Sequence, residues 1–166
     1  MKKIKIVFGI LGLLLLVTAC KRTLPNYGQT SLVKMSNGWW VNYDDTGGGN
    51  VYGTYFLSTY NDAAGDSLWV DDLKNFTGFK AKAAVNYSQL TFSTTGSNNL
   101  YYDGSTYIDN PITIIGGQVF PKGGHSKSGV VTDSINFKVI LPGNFGPTDT
   151  IIVSGTARTG LIQDDY

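Results

Sequence analysis

The segment FKAKAAVNYSQLTF alternates apolar and polar residues: Phe79, Ala81, Ala83, Val85 and Tyr87 fall on one face, Lys80, Lys82 and Asn86 on the other. After a short turn the pattern resumes, with Leu90 and Phe92 against Thr91 and Ser93. A period of two is that of a half-buried antiparallel strand, and it rules out an amphipathic helix over the same residues. VTDSINFKVIL repeats it, placing Val131, Ile135, Phe137, Val139 and Leu141 together. The runs WWVNY, VYGTYFLSTY, DSLWV, ITIIGGQVF and DTIIVSGTAR bring the strands to eight, separated by Gly-, Asn- and Asp-rich segments such as DDTGGGN and LPGNFGP. Every acidic residue is Asp and none is Glu, which favours turns over helices. Only DDLKNF is predicted to hold a helical turn. Short strands joined by turns give an all-β sandwich or up-and-down barrel. Eight strands suit a small closed antiparallel barrel, which leaves no sheet edge exposed.

The first residues set the expected compartment. Lys2, Lys3 and Lys5 precede the apolar run IVFGILGLLLLV, which is too short for a comfortable membrane span, and small residues follow. This is the layout of a secretory signal peptide. Val17-Thr18-Ala19-Cys20 resembles the lipobox of bacterial lipoproteins, which implies cleavage before Cys20 and lipidation of its sulfur. The expected organisation is a signal peptide over 1–19, the lipidated cysteine and a tether over 20–36, and the barrel over 37–166. More than one acyl chain would hold the protein durably on a bilayer. KRTLP after Cys20 carries no acidic residue, so the anchor is expected in the outer membrane, facing the periplasm. Without Lys2, Lys3 and Lys5 the chain is slightly acidic and forms no basic patch, so nucleic acid is not an expected partner.

Four stretches, LVKMSNGWWVNY, FKAKAAVNYSQLTF, SGVVTDSINFKV and VSGTARTGLIQDDY, together resemble the lipid-binding putative hydrolase family of bacterial lipoproteins, with calycin-like, lipocalin-like barrels. The resemblance implies binding of a small apolar or amphipathic, lipid-like ligand. It also implies that GWW is the G-x-W pattern of such barrels. Gly38 and Trp40 would then stand in the motif positions, Trp40 closing the barrel floor with Arg158 of TARTG across its indole. The strand pattern alone argues the reverse, since Trp39, Val41 and Tyr43 form the more apolar face. On the motif, Trp40 is expected inside.

Aromatic residues make up 13% of the chain, enough to line a pocket as well as a core. Tyr52, Phe56 and Tyr60 share one face of their strand, and with Phe92 and Phe137 they are the candidate ligand-lining residues. A hydrolase needs a nucleophile with a base in reach, or a metal. His125, the one histidine, has Ser126, Ser128 and Asp133 nearby in sequence, but no G-x-S-x-G elbow is present. It is a weak catalytic candidate. Asp44, Asp45, Asp71 and Asp72 read as turn residues rather than a carboxylate pair. One histidine and no cysteine beyond Cys20 leave only aspartates as metal ligands, so neither metal nor cofactor is implied. The expected function is a membrane-anchored module that binds a small apolar or amphipathic ligand in its barrel; the alternatives are an accessory lipoprotein with a filled barrel that docks a protein partner, and a hydrolase using His125.

Overall fold

Eight antiparallel strands close on themselves in sequence order. They are β1 (Asn37–Asp45), β2 (Asn50–Asn61), β3 (Ser67–Asp71), β4 (Lys80–Asn86), β5 (Thr91–Ser97), β6 (Ile112–His125), β7 (Val131–Ile140) and β8 (Thr150–Ala157). The computed structural model describes residues 30–105 and 108–166; Cys20 and the proposed signal peptide lie outside them. The seam is β1 against β8, with Val41 opposite Gly155. A side chain at Gly155 would collide with the Trp40 carbonyl, so glycine there lets the barrel shut. This is the all-β, eight-stranded antiparallel architecture expected from the alternation.

Up-and-down topology gives the barrel two distinct ends. The foot gathers Thr30–Ser36, the β2–β3, β4–β5 and β6–β7 turns, and the tail after β8. The opposite, loop end gathers the β1–β2 turn and the longer connections 72–79, 98–111 and 141–149.

Trp39, Val41 and Tyr43 are fully buried inside, while Trp40 is half-buried on the outer wall. The motif-based expectation that Trp40 closes the floor is therefore corrected. Period-2 alternation sends Trp39 inward with Val41 and Tyr43, where it lies opposite Leu57 of β2. Gly38 shares the outer face with Trp40. A Cβ on Gly38 would come within 2.6 Å of the Phe56 ring, so the glycine makes room for an external aromatic contact. Thr30–Ser36, assigned to the tether by sequence, is part of the folded body: Leu32 and Met35 are buried under the foot.

No helical turn forms at DDLKNF. Leu73 and Lys74 adopt positive φ, 54° and 61°, because the Asp72 carboxylate draws the loop amides around itself. It accepts N–H bonds from Lys74 and Phe79 through Oδ1 and from Thr77 and Gly78 through Oδ2. Aspartate competes with helix in this way when its side chain can satisfy local amides.

Candidate functional site

Aromatic rings converge under the loop end. Tyr43 of β1 stacks on Phe76 of the β3–β4 loop, with centroids 4.1 Å apart at 20°. Phe76 in turn stacks on Phe145 of the β7–β8 loop at 5.8 Å. Tyr52 of β2 meets both, at 5.5 Å and 6.1 Å, and Tyr55 lies 6.0 Å from Tyr43. Two loops on different sides of the barrel thus close its mouth with a pair of phenylalanines over three tyrosines.

The backbone behind these rings is fixed by buried polar side chains. Asp72 organises loop 72–79 as described. Asp109 accepts the amides of Gly143 and Asn144 and the Asn144 side-chain amide. Asn99 joins the two systems, donating to the carbonyls of Gly78 and Asp109 and accepting from the amides of Lys80 and Tyr101. All three are nearly inaccessible to solvent. The loop frames are therefore pinned, and the Phe76 and Phe145 side chains they carry are only partly buried.

One atom in this aromatic cluster, the cup of the barrel mouth, is unsatisfied. The Tyr43 hydroxyl is buried and has no hydrogen-bond partner among the described residues; the same holds for Thr77 Oγ1 in the loop above. A buried polar group without a partner costs about 1–3 kcal/mol, so such groups are uncommon and call for an explanation; Trp40 Nε1 on the outer wall is another among the described residues. Burial, then the nearby charge of Asp72, then Tyr55 push the Tyr43 pKa well above its ordinary value. The hydroxyl therefore keeps its proton at neutral pH and is a donor. Asp72 is itself raised by burial, against the four amides that favour its charge.

The five residues proposed from sequence as ligand-lining separate. Tyr52 joins the cup. Phe92 and Phe137 pair edge to face inside the barrel, at 5.7 Å, with the Phe92 ring over Gly117, where a Cβ would stand 2.5 Å from it. Phe56 and Tyr60 lie outside. The shared face assumed for Tyr52, Phe56 and Tyr60 is broken by a bulge: Val41 pairs with Tyr55, but Tyr43 already pairs with Tyr52. The extra β2 residue turns Tyr52 to the interior side, opposite Phe56 and Tyr60. Phe56 packs on Trp40 at 5.2 Å, and these two line an outer groove of about 330 Å³ with Arg158, Asp165 and Tyr166. The expected lid of Arg158 over the Trp40 indole gives way to a two-pronged pair with Asp165, at 2.7 Å on both prongs. The rings that meet Trp40 are Phe56 and Tyr166.

Tyr60 belongs to an outer polar belt around Asp71. That carboxylate accepts both the Tyr60 and Tyr101 hydroxyls at 2.8 Å and pairs with Lys80 at 3.3 Å. Burial and then the Asp71 hydrogen bond push Tyr101 up to about 12. Burial raises Asp71, but the Leu73 amide, Tyr101, Tyr60 and Lys80 outweigh it and leave its pKa lowered. Lys80 is raised, chiefly by Tyr60. These groups titrate away from neutrality, as in a structural network.

A model of the lipid-binding putative hydrolase family matches residues 24–162. The chain belongs to that family. Among curated proteins none matches the chain at a significant level. A lipid-binding family and a closed β-barrel fit a lipid-binding protein. The hydrolase half of the family's name had one sequence candidate here, His125. It stands exposed at the end of β6, and among the described residues no hydrogen bond joins it to Ser126, Ser128 or Asp133. Those partners are engaged elsewhere: Ser126 with Ser128 at 3.2 Å, and Asp133 with the Lys122 amide at 2.7 Å.

Tyr43, Tyr55, Phe76 and Phe145 were not proposed as site residues from sequence. For the two phenylalanines a signal exists, because each is a lone ring within a polar or Gly/Pro-rich loop, LKNFTG and PGNFGP. A large apolar side chain in such a loop folds back on the body or covers an opening.

Proposed function

We propose that the protein is a lipid-anchored lipoprotein of the outer membrane, facing the periplasm, that holds a small amphipathic, lipid-like ligand in the loop-end cup of its barrel. The observation that carries this reading is the buried, unpartnered Tyr43 hydroxyl beneath the Phe76–Phe145 cap. A carboxyl, ester or hydroxyl oxygen of the ligand accepts a hydrogen bond from the Tyr43 hydroxyl. Its apolar part lies among Tyr52, Tyr55 and the two phenylalanines once their rings swing outward. Ligand sites of this kind are mostly apolar, with few polar groups that fix orientation. Family membership supports the lipid class of ligand, and the lipobox-like VTAC supports the anchor.

The lower half of the barrel favours a different role for Trp39, Phe92 and Phe137. All three are buried, Phe92 against Phe137, and act as core, so the cup rather than the whole interior is the proposed site.

The test is displacement of a fluorescent fatty acid from the full-length protein and from Tyr43→Phe. Losing one hydrogen bond to the carboxylate, about 1.5–3 kcal/mol, weakens binding roughly ten- to a hundredfold. Equal affinity in the two proteins removes Tyr43 from the site, and no binding by the unaltered protein refutes the reading.

A further inference from the structure

The foot of the barrel ends in an apolar tip. Ile162 is 88% exposed, Tyr166 61% and Val131 54%, with Val130 and Leu161 exposed beside them. The alternation in β7 would have turned Val131 inward, but β7 outruns the core there. Two segments make up this tip, the β6–β7 turn and the short 3-10 turn Ile162–Asp164. Buried Asp164 clasps them together: its Oδ1 accepts the Ser128 amide at 2.7 Å and its Oδ2 the Thr159 hydroxyl at 2.6 Å. Lys127 reaches over Tyr166, 4.8 Å from the ring centroid. Tyr166 also walls the outer groove of Trp40 and Phe56. The tip thus combines outward aliphatic side chains, an exposed tyrosine and a lysine over its ring, a composition suited to the headgroup boundary of a bilayer.

Single exposed apolar residues are ordinary, and the loop end has some, Val51 and Leu100 among them. What separates the ends is where the chain enters. Thr30 lies at the foot, Ser31 bonding to the Gly65 carbonyl of the β2–β3 turn. The ten residue-to-residue steps from Cys20 to Thr30 span at most about 35 Å when fully extended, which keeps the foot within reach of the membrane holding Cys20. We infer that the protein rests on the bilayer surface through the tip of Val130, Val131, Leu161 and Ile162, with the loop-end cup pointing away from the membrane. This rests on the lipid-anchor reading above and adds an orientation to it.

The test uses the full-length, lipidated protein in vesicles of phosphatidylethanolamine and phosphatidylglycerol containing brominated acyl chains. A bimane label is placed at Ile162→Cys or, at the loop end, at Asn50→Cys. Both positions are exposed, so folding is not at stake. The expected result is loss of most of the fluorescence at position 162 and little at position 50. Quenching at position 50 equal to or above that at 162, or at neither position while the protein floats with the vesicles, overturns the orientation and leaves the anchor intact. A protein that does not float, or whose unsubstituted form takes the label at Cys20, fails the anchor reading and this inference with it.

Discussion

The Trp39 indole nitrogen donates to Thr59 Oγ1 at 2.8 Å, and the Thr59 hydroxyl donates to the Met35 carbonyl. Through one threonine the inward tryptophan, the second strand and the lead-in segment are joined, and the foot is closed from below. Replacing Thr59 with Val leaves the buried indole N–H without its acceptor, and about 1–3 kcal/mol of stability is lost. Thr59→Ser retains most of it. Urea denaturation of the two variants checks this.

The two tryptophans respond differently to truncation. Trp39→Ala empties a large core volume and costs about 3–5 kcal/mol. Trp40→Ala removes a half-buried external contact with Phe56 and Tyr166 and costs about 1–2 kcal/mol. Equal losses in thermal denaturation would contradict the assignment of Trp39 as the interior residue.

Tyr43→Phe carries a signature of a functional rather than a structural hydroxyl. Without ligand the variant is more stable than the parent, by up to about 1–3 kcal/mol, because an unsatisfied buried group is gone. With ligand it binds more weakly. Denaturation with and without a saturating fatty acid measures both effects. A variant less stable in the absence of ligand shows that the hydroxyl has a structural partner.

Asp164 predicts part of the acid response. The Thr159 hydroxyl first, with Ser128 and Ser126 adding and burial opposing, lowers its pKa to about 2, against an ordinary value of about 3.9. A lowered folded-state pKa means a stabilising contribution present above about pH 4 and lost as the pH falls toward 2. Asp164→Asn therefore lowers the urea midpoint near neutrality, and the gap from the parent narrows below pH 3. Asp62 and Asp71, also lowered, act in the same window and persist in the variant. Raised Asp72 acts with the opposite sign.

Much of this fold was legible because alternation survives in β4, β5 and β7, where Ala81, Ala83, Phe92, Ile135 and Phe137 all point inward as the sequence implied. Faces were misread where the strand is irregular or ambiguous. Residue counting cannot see the β2 bulge that returns Tyr52 to the interior. GWW offers two tryptophans, and the choice between them rests on the neighbours Val41 and Tyr43 rather than on the motif. The cup is not legible in the sequence because Tyr43, Phe76 and Phe145 come from three separate segments that only closure of the barrel brings together. Asp72 looked like turn composition, and its capture of four amides depends on the loop path it creates.

The central claim, a lipid-like ligand held beneath the Phe76–Phe145 cap, is tested most directly by native mass spectrometry of the full-length protein purified from membranes, with solvent extraction of the same sample. The predicted result is a non-covalent adduct of lipid mass on the acylated chain, recovered in the extract and depleted in Tyr43→Phe. A spectrum showing only the acylated chain, with no lipid released and none taken up on incubation with fatty acid, would contradict it.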